Sequence, residues 1–210
     1  MEIKVFDILP STQKYLINEI KNHNINDEIC IIAINQNKGI GSRKNTWNSV
    51  NQGLYFSFAK KLSNLPNDLK LESVSIFFGF IFKEILATNG SKVWLKYPND
   101  LYINENKVGG IICNIASDFI VCGIGLNIES DIFACIESNV INNTNRFLES
   151  YFDSIKTYTW DLVFSKYKLE FYKNHNFSFH YKNKIISFRD AKLLNDGAIE
   201  VNGEILYSFR

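Results

Sequence analysis

A polar segment between two apolar runs carries the side chains most suited to binding an anion. The segment extends from Gln36 to Gly53 and shows no regular period. Its glycines would let backbone N–H groups approach a ligand, its basic side chains would attract negative charge, and its tryptophan offers a flat face for a ring. The residues concerned are Gly39, Gly41, Arg43, Lys44 and Trp47. Their spacing is neither that of a Walker loop nor that of a dinucleotide fingerprint. This polar loop is therefore predicted to be either an anion-binding loop or a flexible surface loop with solvated charges.

Two apolar runs further along the chain contain glycines where a strand would normally carry side chains. In Cys-Gly-Ile-Gly-Leu-Asn-Ile, the residues Gly123, Gly125 and Asn127 alternate, and residues two apart share one face of a strand. The pair Gly109-Gly110 lies in a strand that we expect to be its neighbour. Strand glycines cost stability and often mark the close approach of a ligand or of another backbone. The pattern predicts a bare floor for a ligand, or else a surface on which a helix packs tightly.

Two charged residues flank the strand that carries Gly109-Gly110. The run Leu-Tyr-Ile-Asn-Glu-Asn-Lys-Val-Gly-Gly-Ile-Ile is typical of a hairpin closed at residues 104–106. In that hairpin Lys107 begins the second strand, and Asp100 lies near the far end of the first. A lysine at the margin of a strand is usually only solvated, and an Asn-Asp pair usually only forms a turn. A catalytic interpretation requires the polar loop, the glycines and Lys107 to face one pocket.

The elements that must position these residues follow from the apolar pattern. Strands are predicted at residues 3–9, 28–34, 54–59 and 118–128, with further short apolar runs between residues 93 and 115. Helices are predicted after Pro10-Ser11-Thr12, from Glu72 to Thr88, and twice beyond the last of these strands. After about Asn176 the short strands indicate a small β-barrel. The prediction is an α+β fold: a mixed-sheet catalytic domain over residues 1–175 with packed helices to one side, and a small C-terminal β-barrel domain over residues 176–210.

The composition narrows the class of protein. Of 210 residues, 46% are hydrophobic and 14% aromatic, which is ample for a core. A formal net charge of +1 gives no reason to expect a nucleic acid or a membrane as partner. The N-terminus lacks the pattern of a signal peptide, and no apolar run approaches the length of a membrane span. Four cysteines without C-x-x-C spacing favour a reducing cytoplasm, and three scattered histidines argue against a zinc site.

Several segments together resemble biotin protein ligases in residue type, order and spacing. They are QNKGIGSRKNTW, LKYPNDLYINENKVGGII and GIGLNI, preceded by LPSTQKYL. The resemblance covers nearly the whole chain, and its most specific part is the Lys-aromatic-Pro-Asn-Asp block followed by Lys-x-x-Gly-Ile. It implies a mixed-sheet α+β catalytic domain with a small C-terminal β-barrel. Because the chain starts directly in the catalytic domain, we expect the short form, without the N-terminal DNA-binding helix-turn-helix of some members, and not a repressor.

The resemblance also implies a reaction and its participants. Biotin and ATP would give biotinyl-5′-AMP and pyrophosphate with the help of Mg²⁺, and biotin would then pass to a lysine of the biotin carboxyl carrier protein of acetyl-CoA carboxylase. No side-chain nucleophile is needed, so catalysis would rest on positioning and on cationic stabilisation. The expected state is a monomer or a weak homodimer.

Roles for individual residues follow from the same resemblance. Biotin would be bound by Ser11, Thr12, Gln36, Gly39, Ile40, Lys107, Gly110, Ile112, Gly123 and Gly125. ATP and the adenylate would be bound by Gly41, Arg43, Trp47, Lys96, Asn99, Lys107 and Asn127. The catalytic residues would be Lys107, Arg43 and Asp100, and Asp100 would also lie near the phosphates and Mg²⁺. Ser11 and Thr12 are in addition typical of a helix N-cap, and both roles can hold together.

The polar loop departs from the family pattern Gly-Arg-Gly-Arg-x-Gly-Arg-x-Trp. Counted back from Trp47, the second arginine of the pattern falls on Ser42, and its last glycine and arginine become Lys44 and Asn45. Arg43 is the only arginine left in the loop, and we take it as the substitute anion ligand. The departure leaves open a different path of the loop or weaker retention of the adenylate.

Two other functions compete with this interpretation. A lipoate-type acyl ligase would share the fold, but its site would favour an apolar tunnel without a clamp for a ureido ring, so Gln36 and the Lys-Tyr-Pro-Asn-Asp block argue against it. A catalytically inactive adenylate-binding protein is the second alternative, because the loop has lost most of its arginines.

Overall fold

A seven-stranded mixed sheet organises the described part of the chain, which comprises residues 1–42, 45–181 and 184–207 of a computed structural model. Its strands, in spatial order, are β1 (Glu2–Leu9), β2 (Ile29–Gln36), β5 (Gln52–Lys61), β9 (Phe119–Glu129), β8 (Asn106–Ala116), β7 (Asp100–Ile103) and β6 (Trp94–Lys96). The pair β1–β2 is parallel and the other neighbours are antiparallel. The strands predicted from the sequence are confirmed, and so is the mixed sheet.

The polar loop contains a short hairpin that the sequence analysis did not predict. Strand β3 (Gly39–Ile40) pairs with β4 (Thr46–Trp47), so that Gly39 lies opposite Trp47. Each strand is only two residues long, too short to give a period in the sequence. The hairpin fixes where the tryptophan side chain can go.

Four α-helices in the described part of the chain flank the sheet: α1 (Thr12–Lys21), α2 (Val74–Thr88), α3 (Thr144–Thr157) and α4 (Trp160–Glu170). Ser11, Asn143 and Thr159 cap the N-termini of α1, α3 and α4, each accepting a backbone N–H bond with its side chain. Helix α2 has no such cap, but it is apolar on nearly all sides and buried, so tertiary packing holds it in place.

The helices cover both faces of the sheet, not one. The residues of β2 alternate: Cys30 and Ile32 belong to the core formed with α2, α3 and α4, whereas Ile31 and Ala33 pack with α1. A strand buried on both faces reads as a continuous apolar run, which is why the sequence could not tell on which side α1 lies. The expectation of helices to one side is corrected in this respect.

The C-terminal segment forms small sheets beside the main one. Strands β10 (Ser178–Tyr181) and β11 (Lys184–Ser187) make a hairpin, and β12 (Lys192–Leu193), β13 (Ile199–Val201) and β14 (Glu204–Leu206) make a three-stranded sheet. Among residues 176–181 and 184–207 these are two separate sheets, so the predicted barrel is only approximated. Phe188 and Leu206 of this segment belong to the same hydrophobic core as α2. The domain boundary at residue 175 stays a prediction.

Three cysteines, Cys30, Cys113 and Cys122, are free and buried, and burial raises the pKa of the Cys122 thiol well above its ordinary value. Such a thiol is inert, which agrees with a site that uses no cysteine nucleophile. Within residues 1–42, 45–181 and 184–207, no helix has the length and apolarity needed to cross a membrane.

Candidate active site

An open pocket, with about 430 Å³ of empty space including its mouth, lies on the face of the sheet that also carries α1. The polar loop, the strand glycines and Lys107 all contribute to its wall, which is the condition that the catalytic interpretation required. The sequence-predicted residues that line it are Ser11, Thr12, Gln36, Ile40, Gly41, Trp47, Asn99, Asp100, Lys107, Gly110, Ile112, Gly123 and Gly125. The structure thus brings together most of a set chosen from separate parts of the chain.

The base of the pocket is a glycine floor, which consists of Gly110, Gly123 and Gly125. The register of β8 and β9 places Gly110 opposite Gly125 and Ile112 opposite Gly123. Gly109 faces the other side of the sheet, where an added Cβ would lie 2.8 Å from the Gly125 carbonyl oxygen. Only the second glycine of the Gly109-Gly110 pair therefore belongs to the floor.

Because the floor residues have no side chains, side chains of the pocket wall can approach the backbone at Gly125 and Gly123. An added Cβ on Gly125 would lie 2.7 to 3.0 Å from atoms of the Trp47 indole. On Gly123 it would lie 2.6 Å from Oε1 of Gln13 and 3.0 Å from Oγ of Ser57. Gln13 belongs to the first turn of α1, so at Gly123 the ligand floor and the predicted close approach of a helix coincide.

A polar cluster closes one end of the pocket. The backbone N–H of Thr12 donates to Oε1 of Gln36 at 2.7 Å, and the Thr12 hydroxyl lies 3.2 Å from the same oxygen and 2.9 Å from the Ser57 hydroxyl. Ser11 accepts the backbone N–H of Lys14 at 3.4 Å, which confirms its predicted role as N-cap. Since Oε1 of Gln36 is engaged by Thr12, its Nε2 is the group left to serve as a donor.

A cation and a carboxylate occupy the other end. The Lys107 ammonium group lies 2.6 Å from Oδ1 of Asp100 and 5.7 Å from the centre of the Trp47 ring. A register shift in the β7–β8 hairpin places Tyr102 opposite Lys107 and Asp100 opposite Gly110. Asn99 anchors the turn, since its Nδ2 donates to the carbonyl of Ile111 at 2.7 Å. The Lys107 side chain remains 42% exposed, so a bound anion could reach it.

Lys96 lies away from this pocket. Its side chain is buried against the C-terminal segment, with Nζ 3.4 Å from the carbonyl oxygen of Ser178. The rings of Tyr102, Phe177 and Phe188 surround the ammonium group, with centres at 5.4, 5.6 and 5.8 Å. The structure does not bring its ammonium group to the pocket that holds Lys107, although the sequence analysis assigned both to ATP.

Two more predicted residues stand apart from the pocket lining. Gly39 supports the β3–β4 hairpin, because an added Cβ would lie 2.5 Å from the carbonyl oxygen of Trp47. Asn127 continues the line of the floor and is buried; its Nδ2 donates to the carbonyl of Ala134 at 3.0 Å, and its Oδ1 has no partner among the described residues. Arg43 lies outside the described residues.

Sequence reasoning missed two polar residues of the pocket, Gln13 and Ser57. Ser57 lies opposite Gly123 and is the single polar residue in the buried run Leu54 to Ala59, which is the signal that could have found it. Gln13 follows two predicted ligands directly, but only its orientation in the fold shows that it faces the floor. Both are buried.

Comparison with known proteins gives a family and several relatives. The model of the "Biotin/lipoate A/B protein ligase family" matches residues 5–127. The "Bifunctional ligase/repressor BirA" of Escherichia coli (strain K12) is 30% identical over 147 residues, or 67% of this chain and 44% of that protein. "Biotin--protein ligase 2" of Arabidopsis thaliana is 31% identical over 128 residues, or 54% of this chain and 38% of that protein. The chain thus spans less than half the length of these curated relatives.

Solved structures agree with the family match. A biotin acetyl coenzyme A carboxylase synthetase from Helicobacter pylori, with bound biotinylated ATP, superimposes with a TM-score of 0.93 at 42% identity, covering 98% of this chain and 99% of that chain. A biotin protein ligase from Aquifex aeolicus gives a TM-score of 0.74 at 21% identity over 98% and 94% of the two chains, which supports the fold. The resemblance noted in the sequence is therefore confirmed.

Proposed function

Because the chain belongs to the biotin/lipoate A/B protein ligase family, we propose that it activates biotin with ATP as biotinyl-5′-AMP and transfers the biotin to a lysine of a biotin carboxyl carrier protein. The observation that carries the proposal is the arrangement of the pocket. A polar cluster suited to a ureido ring closes one end, the bare glycine floor lies in the middle, and the Lys107 ammonium group stands at the other end. Biotin has the same order of parts: ureido ring, apolar chain, carboxylate.

The first half-reaction joins two anions, so the protein must supply positive charge. A carboxylate oxygen of biotin attacks the α-phosphorus of ATP, the bond from that phosphorus to the bridging oxygen breaks, and pyrophosphate leaves. Lys107 would bridge the carboxylate and the α-phosphate and stabilise the charge that concentrates between them. Asp100, which now pairs with Lys107, would hold the ammonium group in place until the nucleotide binds.

Arg43 and a magnesium ion would complete the charge balance. Arg43, as the only arginine of the polar loop, would contact a phosphate with its bidentate fork, which neighbouring Lys44 cannot reproduce. Asp100 is a fitting ligand for Mg²⁺ only if ATP phosphates and water provide the rest, since no cluster of three candidate metal ligands occurs in the described ranges. The ion would neutralise phosphate charge.

The remaining steps of the proposed reaction are the binding of adenine and the transfer of biotin to the carrier protein. Trp47 would contact the adenine ring, and the unpaired Oδ1 of Asn127 suits the adenine amino group. In the second half-reaction the carrier lysine attacks the acyl carbon as a free amine, AMP leaves with the bonding pair, and the proton passes to solvent. AMP is a good leaving group, so presenting the lysine suffices.

Buried free thiols and the use of ATP favour the cytoplasm as the place of reaction.

ATP–pyrophosphate exchange tests the proposal directly. We expect exchange that depends on biotin and not on lipoate, followed by labelling of a carrier domain. Exchange with lipoate alone would favour the lipoate-type ligase. Binding of preformed biotinyl-5′-AMP without any exchange would favour an inactive adenylate-binding protein.

The substitution Lys107→Ala tests the mechanism. We expect the kcat of exchange to fall about a hundredfold or more, with a much smaller change in the KM for biotin, because the interaction is made mainly in the transition state. Lys92→Ala, at an exposed lysine away from the pocket, is the matched control. Near-normal turnover of Lys107→Ala would remove this residue from the catalytic role.

A further inference from the structure

The side chain of Gln13 has a fixed orientation in the wall of the pocket. It is only 2% exposed, and its Nε2 donates to the backbone carbonyl of Val121 at 2.9 Å and to Oδ1 of Asn114 at 3.1 Å. A backbone carbonyl can only accept, so the nitrogen must lie on that side and the oxygen on the other. The orientation of the amide therefore follows from its bonding.

Oε1 of Gln13 is a buried acceptor that no donor of the described residues satisfies. It lies close above the glycine floor, 2.6 Å from the position that a Cβ of Gly123 would take. An unsatisfied buried oxygen costs free energy, and such groups in folded proteins call for an explanation. A ligand that brings a donor to the floor would provide one.

The other polar groups nearby are already paired with one another. Oε1 of Gln36 accepts from Thr12, and the hydroxyls of Thr12 and Ser57 are bonded together. Within the polar cluster, Oε1 of Gln13 is thus the amide oxygen left free to accept a bond from a ligand. This oxygen needs a hydrogen-bond donor from the ligand, so a ligand whose ring is purely apolar is not the best match for the pocket.

We propose that Gln13 determines the ligand specificity of the pocket by accepting a hydrogen bond from one ureido N–H of the biotin ring. The inference rests on the proposed function and deepens it. A ureido ring carries two N–H donors, whereas the dithiolane ring of lipoate carries none and would leave Oε1 buried and unpaired. Sites built to bond a polar group reject analogues that lack it far more strongly than apolar pockets reject extra bulk. One oxygen atom thus selects biotin over lipoate.

A merely structural Gln13 would act differently. In that case its amide only ties α1 to β9, and removing it would weaken the binding of every ligand by the same factor. The distinguishing quantity is therefore the coupling between the side chain and one N–H of the ligand.

Calorimetry with Gln13→Met and two biotin analogues measures that coupling. In each analogue one of the two ring N–H groups is replaced by oxygen, giving a cyclic carbamate. We expect Gln13→Met to raise the Kd for biotin about tenfold or more. The substitution should raise the Kd by a similar factor for the carbamate that keeps the N–H facing Gln13. For the carbamate that lacks this N–H, the Kd of the variant should be no higher than that of the unmodified chain. Gln52→Met, at an exposed glutamine, is the control.

The outcomes separate this inference from the proposed function. Equal weakening for all three ligands, or no weakening, would overturn the role of Gln13 while biotin binding stands. If the unmodified chain binds no biotin, the proposed function fails and the inference fails with it. If Gln13→Met does not fold, the unmodified chain decides: it must bind one carbamate at least about tenfold more weakly than biotin, and equal affinities for biotin and both carbamates would overturn the inference.

Discussion

At the scale of single residues, three amide side chains in or beside the pocket each have one end bonded to the backbone. In Gln13, Gln36 and Asn127 the backbone binds one end, and this decides which end is left for a ligand. The sequence identified Gln36 and Asn127 by type and position. It could not show which atom is presented, because that depends on contacts made only in the fold: Oε1 of Gln36 accepts the backbone N–H of Thr12, and Nδ2 of Asn127 donates to the carbonyl of Ala134. The sequence also singled out Lys107 and Asp100, since charge beside a glycine-bearing strand is visible in it; both line the pocket, and their catalytic roles stay predictions.

Asn127 yields a prediction about the nucleotide. Its unpaired Oδ1 would accept a bond from the 6-amino group of adenine, which hypoxanthine lacks. Asn127→Leu should raise the KM for ATP about tenfold, and it should reduce the preference for ATP over inosine triphosphate, with little effect on biotin binding. Pyrophosphate exchange with each nucleotide measures this, with Asn145→Leu on the exposed side of α3 as control. An unchanged preference in Asn127→Leu would remove the contact.

At the scale of elements, strand pairing builds the site from separate segments. The register that sets Gly110 opposite Gly125 makes a floor from two glycines of different strands, and the β3–β4 hairpin sets Trp47 above it. The sequence predicted the longer strands because each is a short, largely apolar run bounded by polar residues. It did not predict the β3–β4 hairpin, because strands of two residues are too short to give a period, and it did not predict the side of α1, because β2 is apolar on both faces.

The glycine floor gives a prediction at this scale. Gly125→Val would place its Cβ within about 3 Å of the Trp47 indole, displacing the ring and filling the space of the ligand. We expect a folded protein whose affinity for biotin falls about a hundredfold or more. Leu126→Val, the next residue on the opposite face, should lose some stability and keep its affinity. Intact biotin binding by Gly125→Val in calorimetry would mean that the glycines serve packing alone.

At the scale of the whole molecule, Lys96 joins the main sheet to the C-terminal segment. Its buried ammonium group bonds to Ser178 and lies among the rings of Tyr102, Phe177 and Phe188. The sequence assigned Lys96 to the nucleotide site through its resemblance to biotin protein ligases, and this role stays a prediction. The sequence could not anticipate that the strand turns this side chain toward a segment some eighty residues away, since that contact exists only after the chain has folded.

A substitution at Lys96 distinguishes the two roles. Lys96→Met should lower the free energy of unfolding by about 1–2 kcal/mol, because it removes the cation that the rings and the carbonyl surround. Lys92→Met should have little effect, since that residue is exposed. Denaturant unfolding and the KM for ATP are measured together. A raised KM with unchanged stability would restore Lys96 to the nucleotide site.

The position of Trp47 also has a spectroscopic consequence. The chain has three tryptophans, and the indole N–H groups of Trp94 and Trp160 donate to the carbonyls of Asn104 and Asn195 at 3.0 and 2.8 Å. The indole nitrogen of Trp47 is buried without a partner among the residues that the structure describes, and its ring rests on the glycine floor. Two of the three fluorophores are therefore fixed in the interior, while the third changes its surroundings whenever the pocket fills. We therefore expect the emission of Trp47 to report ligand binding in the pocket without an added label.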